Sequence, residues 1–216
     1  MLRFAEEIML LLLDDEGGDF LHVSDWSLRC ALAGAVLMDL ALENRIDTDL
    51  KQLVLVDATP VGDDLLDPTL ERIAAADETH DAAHWVHQTA RQSDQIRDRA
   101  LARLTEHGIL ERRDESFLWV FKSRRYPAVD GKADREVKLR IMGVLFSDEI
   151  PDPRDIVIVC LAEACGIFQA LLSTRELTTA SARIEQVRKL DLIGQAISQA
   201  VWDIETSLAM AMHPPM

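Results

Sequence analysis

Two stretches near the start of the chain are apolar on almost every face. Ile8-Met9-Leu10-Leu11-Leu12-Leu13 is one, and the run from Ala31 to Leu42, broken by Asp39 alone, is the other. A helix without a polar side cannot lie on a surface, so both segments must sit in the middle of the fold with other elements wrapped around them. The first is predicted as a helix over Leu2 to Leu13, ended by Asp14 to Gly18. The second is predicted from Asp25 to Glu43, with Ser24 or Asp25 as its N-cap.

The rest of the chain reads as the covering layer. Ile46 to Asp57 alternates as a small hairpin and runs into the turn Ala58 to Gly62. Helical patterns then start at Asp67-Pro68, with Pro68 at the first helical position, and continue over Asp81 to Ala90 and Ser93 to His107, where Gly108 is placed as a C-cap. A second hairpin is predicted with Ile109-Leu110 and Phe117 to Lys122 flanking a polar turn at Arg113 to Ser116. Further helices are expected over Asp134 to Phe146, from Asp152-Pro153 to Leu172, over Thr178 to Leu190 and over Leu192 to Met210. The expected architecture is mainly α: one globular helical bundle over residues 1–216, with central buried helices surrounded by amphipathic ones and two small β-hairpins.

The chain has 216 residues, 48% hydrophobic and 28% charged, enough for one domain with a real core. Its net charge of −15 argues against general adhesion to nucleic acid or to an anionic bilayer, so an anionic partner must be met locally. One window reverses the sign: between Arg91 and Arg125 nine basic residues face six acidic ones. Cys30, Cys160 and Cys165 fall in apolar helical patterns without metal-ligand spacing and read as buried thiols in a reducing compartment. Glu6 and Glu7 before the first apolar run are wrong for a secretory signal, and the stretch from Ile156 to Leu172 is short of the roughly 20 residues that span a bilayer. A cytoplasmic protein is expected, with any membrane contact peripheral.

The basic window is the principal candidate site, because guanidinium groups grip phosphate through paired donors. Arg91, Arg97, Arg99 and Arg103 lie on or before one helix, and Arg112, Arg113, Lys122, Arg124 and Arg125 follow on the hairpin; the alternative is a solvated helix with internal pairs such as Asp94 with Arg97. Phe117-Leu118-Trp119-Val120-Phe121 would present aromatics on one face of a strand and aliphatics on the other, which suits contact with a bilayer or a second copy of the chain. The helix and hairpin over Gln95 to Phe121 also have the order of a winged-helix DNA binder, although an acidic tip at Asp114-Glu115 would oppose phosphate. His80, His84 and His87 stand at helical spacing, but nothing obvious completes a metal shell, and no metal is assigned. No phosphate loop, nucleophile elbow or carboxylate pair is present, so no enzymatic activity, catalytic residue or cofactor is expected.

The block around Gly34, the segment Ala58-Thr59-Pro60-Val61-Gly62-Asp63-Asp64-Leu65-Leu66-Asp67, the passage from Leu104 to Phe121 and the run Arg154 to Ala162 together resemble the Golgi phosphoprotein 3 family of phosphoinositide-binding proteins. The resemblance implies a peripheral membrane protein that recognises phosphatidylinositol 4-phosphate, with the second hairpin contacting the bilayer or another copy. The long basic N-terminal extension of eukaryotic members is not seen, which suggests a bare family domain of bacterial origin. Aligned on Gly34, the family's headgroup Trp and Arg fall on Ser24 and Ala33, and its pair of basic residues on Asp94 and Arg97, so Arg97 alone is retained. The expected headgroup residues are therefore Arg97, with Trp26, Arg29 and Arg91 in support. Phe117, Trp119 and Phe121 are the expected membrane or oligomer contacts, and the rival reading is an oligomeric protein-interaction scaffold that binds no lipid.

Overall fold

The structure, a computed structural model, describes residues 1–14, 18–48, 52–117, 121–190, 195 and 199–202. Among these, the order is α1 (Phe4–Leu11), α2 (Asp25–Leu42), β1 (Ile46–Thr48), β2 (Leu53–Leu55), α3 (Asp67–Ala74), α4 (Ala82–Ala90), α5 (Ser93–Glu106), β3 (Arg113–Phe117), β4 (Phe121–Arg125), α6 (Lys132–Phe146), α7 (Pro153–Ala164), α8 (Ile167–Leu171) and α9 (Thr174–Arg188). The mainly α fold with two antiparallel hairpins is as the sequence predicts.

Every residue of α1 is buried, and α2 is buried from Cys30 to Leu40. α1 packs on α2, α5, α6 and α7, while α2 also packs on α4 and α7. The start of α1 explains how a helix can begin inside a core. Its first amides have no partner within the helix, and carboxylates supply them: Glu6 accepts from the Arg3 backbone N–H at 2.7 Å, and Asp39 of α2 accepts from Phe4 N–H at 2.8 Å.

Three buried carboxylates therefore surround α1, and arginines from the outer layer reach in to them. Arg103 of α5 lies 3.4 Å from Glu6, and Arg140 of α6 lies 2.7 Å from Glu7. Arg154 of α7 reaches Glu7 at 3.2 Å with its guanidinium carbon 4.2 Å above the centre of the Phe4 ring. Such pairs hold each outer helix in one position, since removing either partner would leave a charge buried without compensation. The three cysteines are buried and not joined in disulfides, and no described helix is long and apolar enough to cross a membrane.

Local chemistry corrects the sequence reading in three places. The single apolar helix predicted from Asp152 to Leu172 is two helices, because Gly166 adopts φ +66° and separates α7 from α8. In the second hairpin, Arg113 to Ser116 is strand rather than turn: Arg113 pairs with Arg125, and Phe117 pairs with Phe121. Phe117 and Phe121 therefore stand opposite each other on two strands, not along one face of a single strand, and the acidic Asp114-Glu115 is not a tip. Register depends on both strands at once, and the apolar alternation was fitted to one. Trp119 and most of the last predicted helix (192–194, 196–198 and 203–210) lie outside the described residues. The third place is His80, which precedes α4 and bridges to the first hairpin by accepting from Leu53 N–H at 2.9 Å.

The base of the second hairpin is fastened to the loop after α1. Tyr126 N–H donates to Gly18 O at 2.8 Å, and Gly18 has φ +71° with its missing Cβ position only 2.4 Å from the Pro127 nitrogen. Glycine alone fits there.

Candidate functional site

The basic window is dispersed once its partners are counted. Arg103 is bound to Glu6 and Asp63; burial favours a neutral guanidinium, but these acids outweigh it and hold Arg103 above its ordinary pKa. Arg99 pairs with Asp64 and, at 3.4 Å, with Glu106, and Arg113 with Glu111 at 2.8 Å. Arg125 meets Asp19 at 3.4 Å. Arg103 serves the fold and the others are partly neutralised by neighbouring acids, so the linear cluster overstated the positive surface.

Arg97 is different. Its pairs with Asp94 and Asp98 are long, 3.4 and 3.6 Å, and its side chain is 36% exposed. Exposed pairs of this kind contribute little and yield readily to a stronger anion. Arg97 lines a cleft of about 340 Å³ whose walls are Phe20, Leu21, Val23, Leu28 and Tyr126, with His22 and Asp98 as the other charged or titratable groups. The cleft borders the start of α2, where the Ser24 hydroxyl accepts from Ser27 N–H at 3.0 Å. His22 had no signal in the sequence, since only the fastened loop brings it to α5.

The other expected headgroup residues do not join Arg97. Trp26 turns toward α4, its ring 6.3 Å from that of His87, and its buried indole N–H has no hydrogen-bond partner among the described residues. Arg29 pairs with Asp25 at 2.9 Å one turn back on α2. Neither lines the Arg97 cleft. Arg91, the C-cap of α4, opens on a second cleft of about 570 Å³ lined by Arg72, His84, Trp85, Gln88, Gln92 and Gln95. Positions 95 and 97 are about 200° apart around a helix, so the two clefts lie on different faces of α5. Arg72, on α3, was missed because it lies outside the basic window.

The three histidines do not converge either. His80 and His84 stack with ring centres 3.8 Å apart and 9° between planes, while His87 faces Trp26. Burial and the neighbouring His80 hold His84 below the ordinary imidazole pKa. Among the described residues no group of three or more His, Cys, Asp or Glu is arranged to hold a metal ion.

A helical domain with two buried central helices, a sleeve of outer helices and open clefts on its surface defines a class of domain. The chain belongs to the Golgi phosphoprotein 3 (GPP34) family, whose model matches residues 4–204. It is similar to vacuolar protein sorting-associated protein 74 of Eremothecium gossypii, with 24% identity over 208 residues that cover 80% of this chain and 62% of that protein. The chain thus spans about three fifths of the length of this curated relative.

Proposed function

We propose that this protein acts at the cytoplasmic face of a membrane as a peripheral, non-enzymatic binder of an anionic lipid headgroup of the phosphatidylinositol 4-phosphate kind, using the Arg97 cleft. The observation that carries the reading is that an arginine held only by weak surface pairs lines a mainly apolar cleft, with His22 and Asp98 as its other polar groups. Phosphate can displace Asp94 and Asp98 through bidentate contacts, while the apolar walls accept the lipid's nearer carbons. The first turn of α2, the positive end of that helix's dipole, borders the same cleft. Trp26 and Arg29 act from the neighbouring surface of α2 rather than inside the site. The family and a relative named for vacuolar protein sorting support a role in membrane traffic.

The second hairpin supplies a further contact. Its base is fastened through Tyr126 and Gly18, and Phe117 and Phe121 pair at the opposite end of the ribbon. This end, with Trp119 between them in sequence, is proposed to touch the bilayer or a second copy of the chain.

Sedimentation with vesicles tests the proposal. The wild type should pellet with vesicles containing phosphatidylinositol 4-phosphate in preference to generic anionic or neutral ones, and Arg97→Glu should lose that binding. Unchanged binding by the variant would remove this cleft from consideration.

A further inference from the structure

The second cleft has a composition that stands out in so acidic a chain. Among its lining residues Arg72, His84, Trp85, Gln88, Arg91, Gln92 and Gln95 there is no carboxylate, although the sequence holds 38 Asp and Glu. Three helices build it: α3 gives Arg72, α4 gives His84 and Gln88, and the tight junction into α5 gives Arg91, Gln92 and Gln95. Asp81, the nearest acid in sequence to His84, is turned to the start of α4, where its carboxylate accepts from His84 N–H at 2.8 Å.

Arg91 has no ion pair among the described residues. Arg72 has none either; its guanidinium donates to the Gln92 side-chain oxygen when that amide is turned to face it. Arginines 3, 103, 140 and 154, by contrast, each engage at least two carboxylates. Trp85 is 5% exposed and forms a rigid floor beneath the polar groups.

We propose that this cleft between α3, α4 and α5 is a binding site for a phosphate monoester carried on a sugar or other polyol. Two guanidinium groups without a carboxylate partner, Arg72 braced by Gln92, match the roughly two negative charges and three acceptor oxygens of a monoester. His84, whose pKa burial and the neighbouring His80 hold below the ordinary imidazole value, adds a ring nitrogen. The amides of Gln88 and Gln95 offer both donors and acceptors, which complements hydroxyl groups. At about 570 Å³ the cleft exceeds what a bare phosphate fills and lies within the range of small-molecule sites. The site is separate from the Arg97 cleft and stands or falls independently of the proposed lipid binding.

Isothermal titration of the full chain at constant ionic strength, with glucose 6-phosphate, glucose and sodium sulfate as probes, tests this. Glucose 6-phosphate should bind saturably, glucose should not, and sulfate should compete weakly. Arg72→Gln and Arg91→Gln should each weaken binding by about tenfold, the loss of one charge-assisted contact. Gln95→Glu, an exposed change that leaves the fold intact, should abolish it by placing a carboxylate in the cleft. Arg97→Glu should retain glucose 6-phosphate binding. Vesicles of phosphatidic acid offered to the Arg97→Glu variant distinguish the source: binding that Arg91→Gln removes assigns the site to a lipid phosphate, and no binding assigns it to a soluble ester. Absence of saturable binding to either, binding indifferent to Arg72→Gln and Arg91→Gln, or sulfate competing as well as the ester would overturn the proposal.

Discussion

At the scale of single residues, Asp39 is the group whose environment most changes its chemistry. It is 1% exposed, it caps α1 through Phe4 N–H, and burial pushes its pKa up to about 7 against the opposing pull of that N–H, Arg154 and Arg3. A carboxyl that binds its proton more tightly folded than unfolded stabilises most below the ordinary carboxylate range. That contribution declines as pH rises toward 7. The stability of the wild type relative to Asp39→Asn, which cannot ionise, should therefore fall between about pH 4 and pH 7, at up to roughly 1.4 kcal/mol per pH unit. Urea midpoints measured for both proteins across that range check the sign, and a difference independent of pH would refute it. The sequence did not foretell this. Asp39 interrupts an apolar run, and nothing local says that its partner is the first amide of another helix.

At the scale of elements, legibility followed the range of the interactions. The central placement of α1 and α2 could be read from composition alone, because a helix with no polar face has no other home. Of the two N-cap candidates for α2, Ser24 is the cap, accepting from Ser27 N–H, and Asp152, where an apolar helix was expected to start, accepts from Arg154 N–H. The start of α9 was read as Thr178, four residues late, because Ser173 and Glu176 form a capping box, with Glu176 accepting from Ser173 N–H at 2.9 Å, that launches the helix before its apolar stripe begins. Ser173→Ala should therefore cost about 1 kcal/mol, seen as a lower denaturation midpoint without loss of helicity elsewhere. The candidate site was the least legible part. Arg99 and Arg103 could not be told from Arg97 by position in sequence, since only the folded chain shows that Asp63, Asp64 and Glu6 claim them.

At the scale of the whole molecule, the charge of −15 surrounds two clefts that each present arginine. The far field repels an anionic bilayer while the near field of Arg97 attracts it, and salt screens the first more than the second because screening grows with distance. Association with anionic vesicles should therefore quicken as ionic strength rises from roughly 0.01 to 0.1 M, the reverse of a basic protein's behaviour. Stopped-flow light scattering would show it, and a rate that falls steadily with salt would contradict it.

The joint between Gly18 and the residues after β4 makes the ribbon a lever with a short arm. Phe20, two residues beyond Gly18, and Tyr126, one residue beyond β4, place their rings 6.1 Å apart, and both are walls of the Arg97 cleft. A load on the distant end of the ribbon therefore has its fulcrum at the Arg97 cleft, the proposed headgroup site. Insertion into a bilayer and opening of the cleft would be two readings of one displacement.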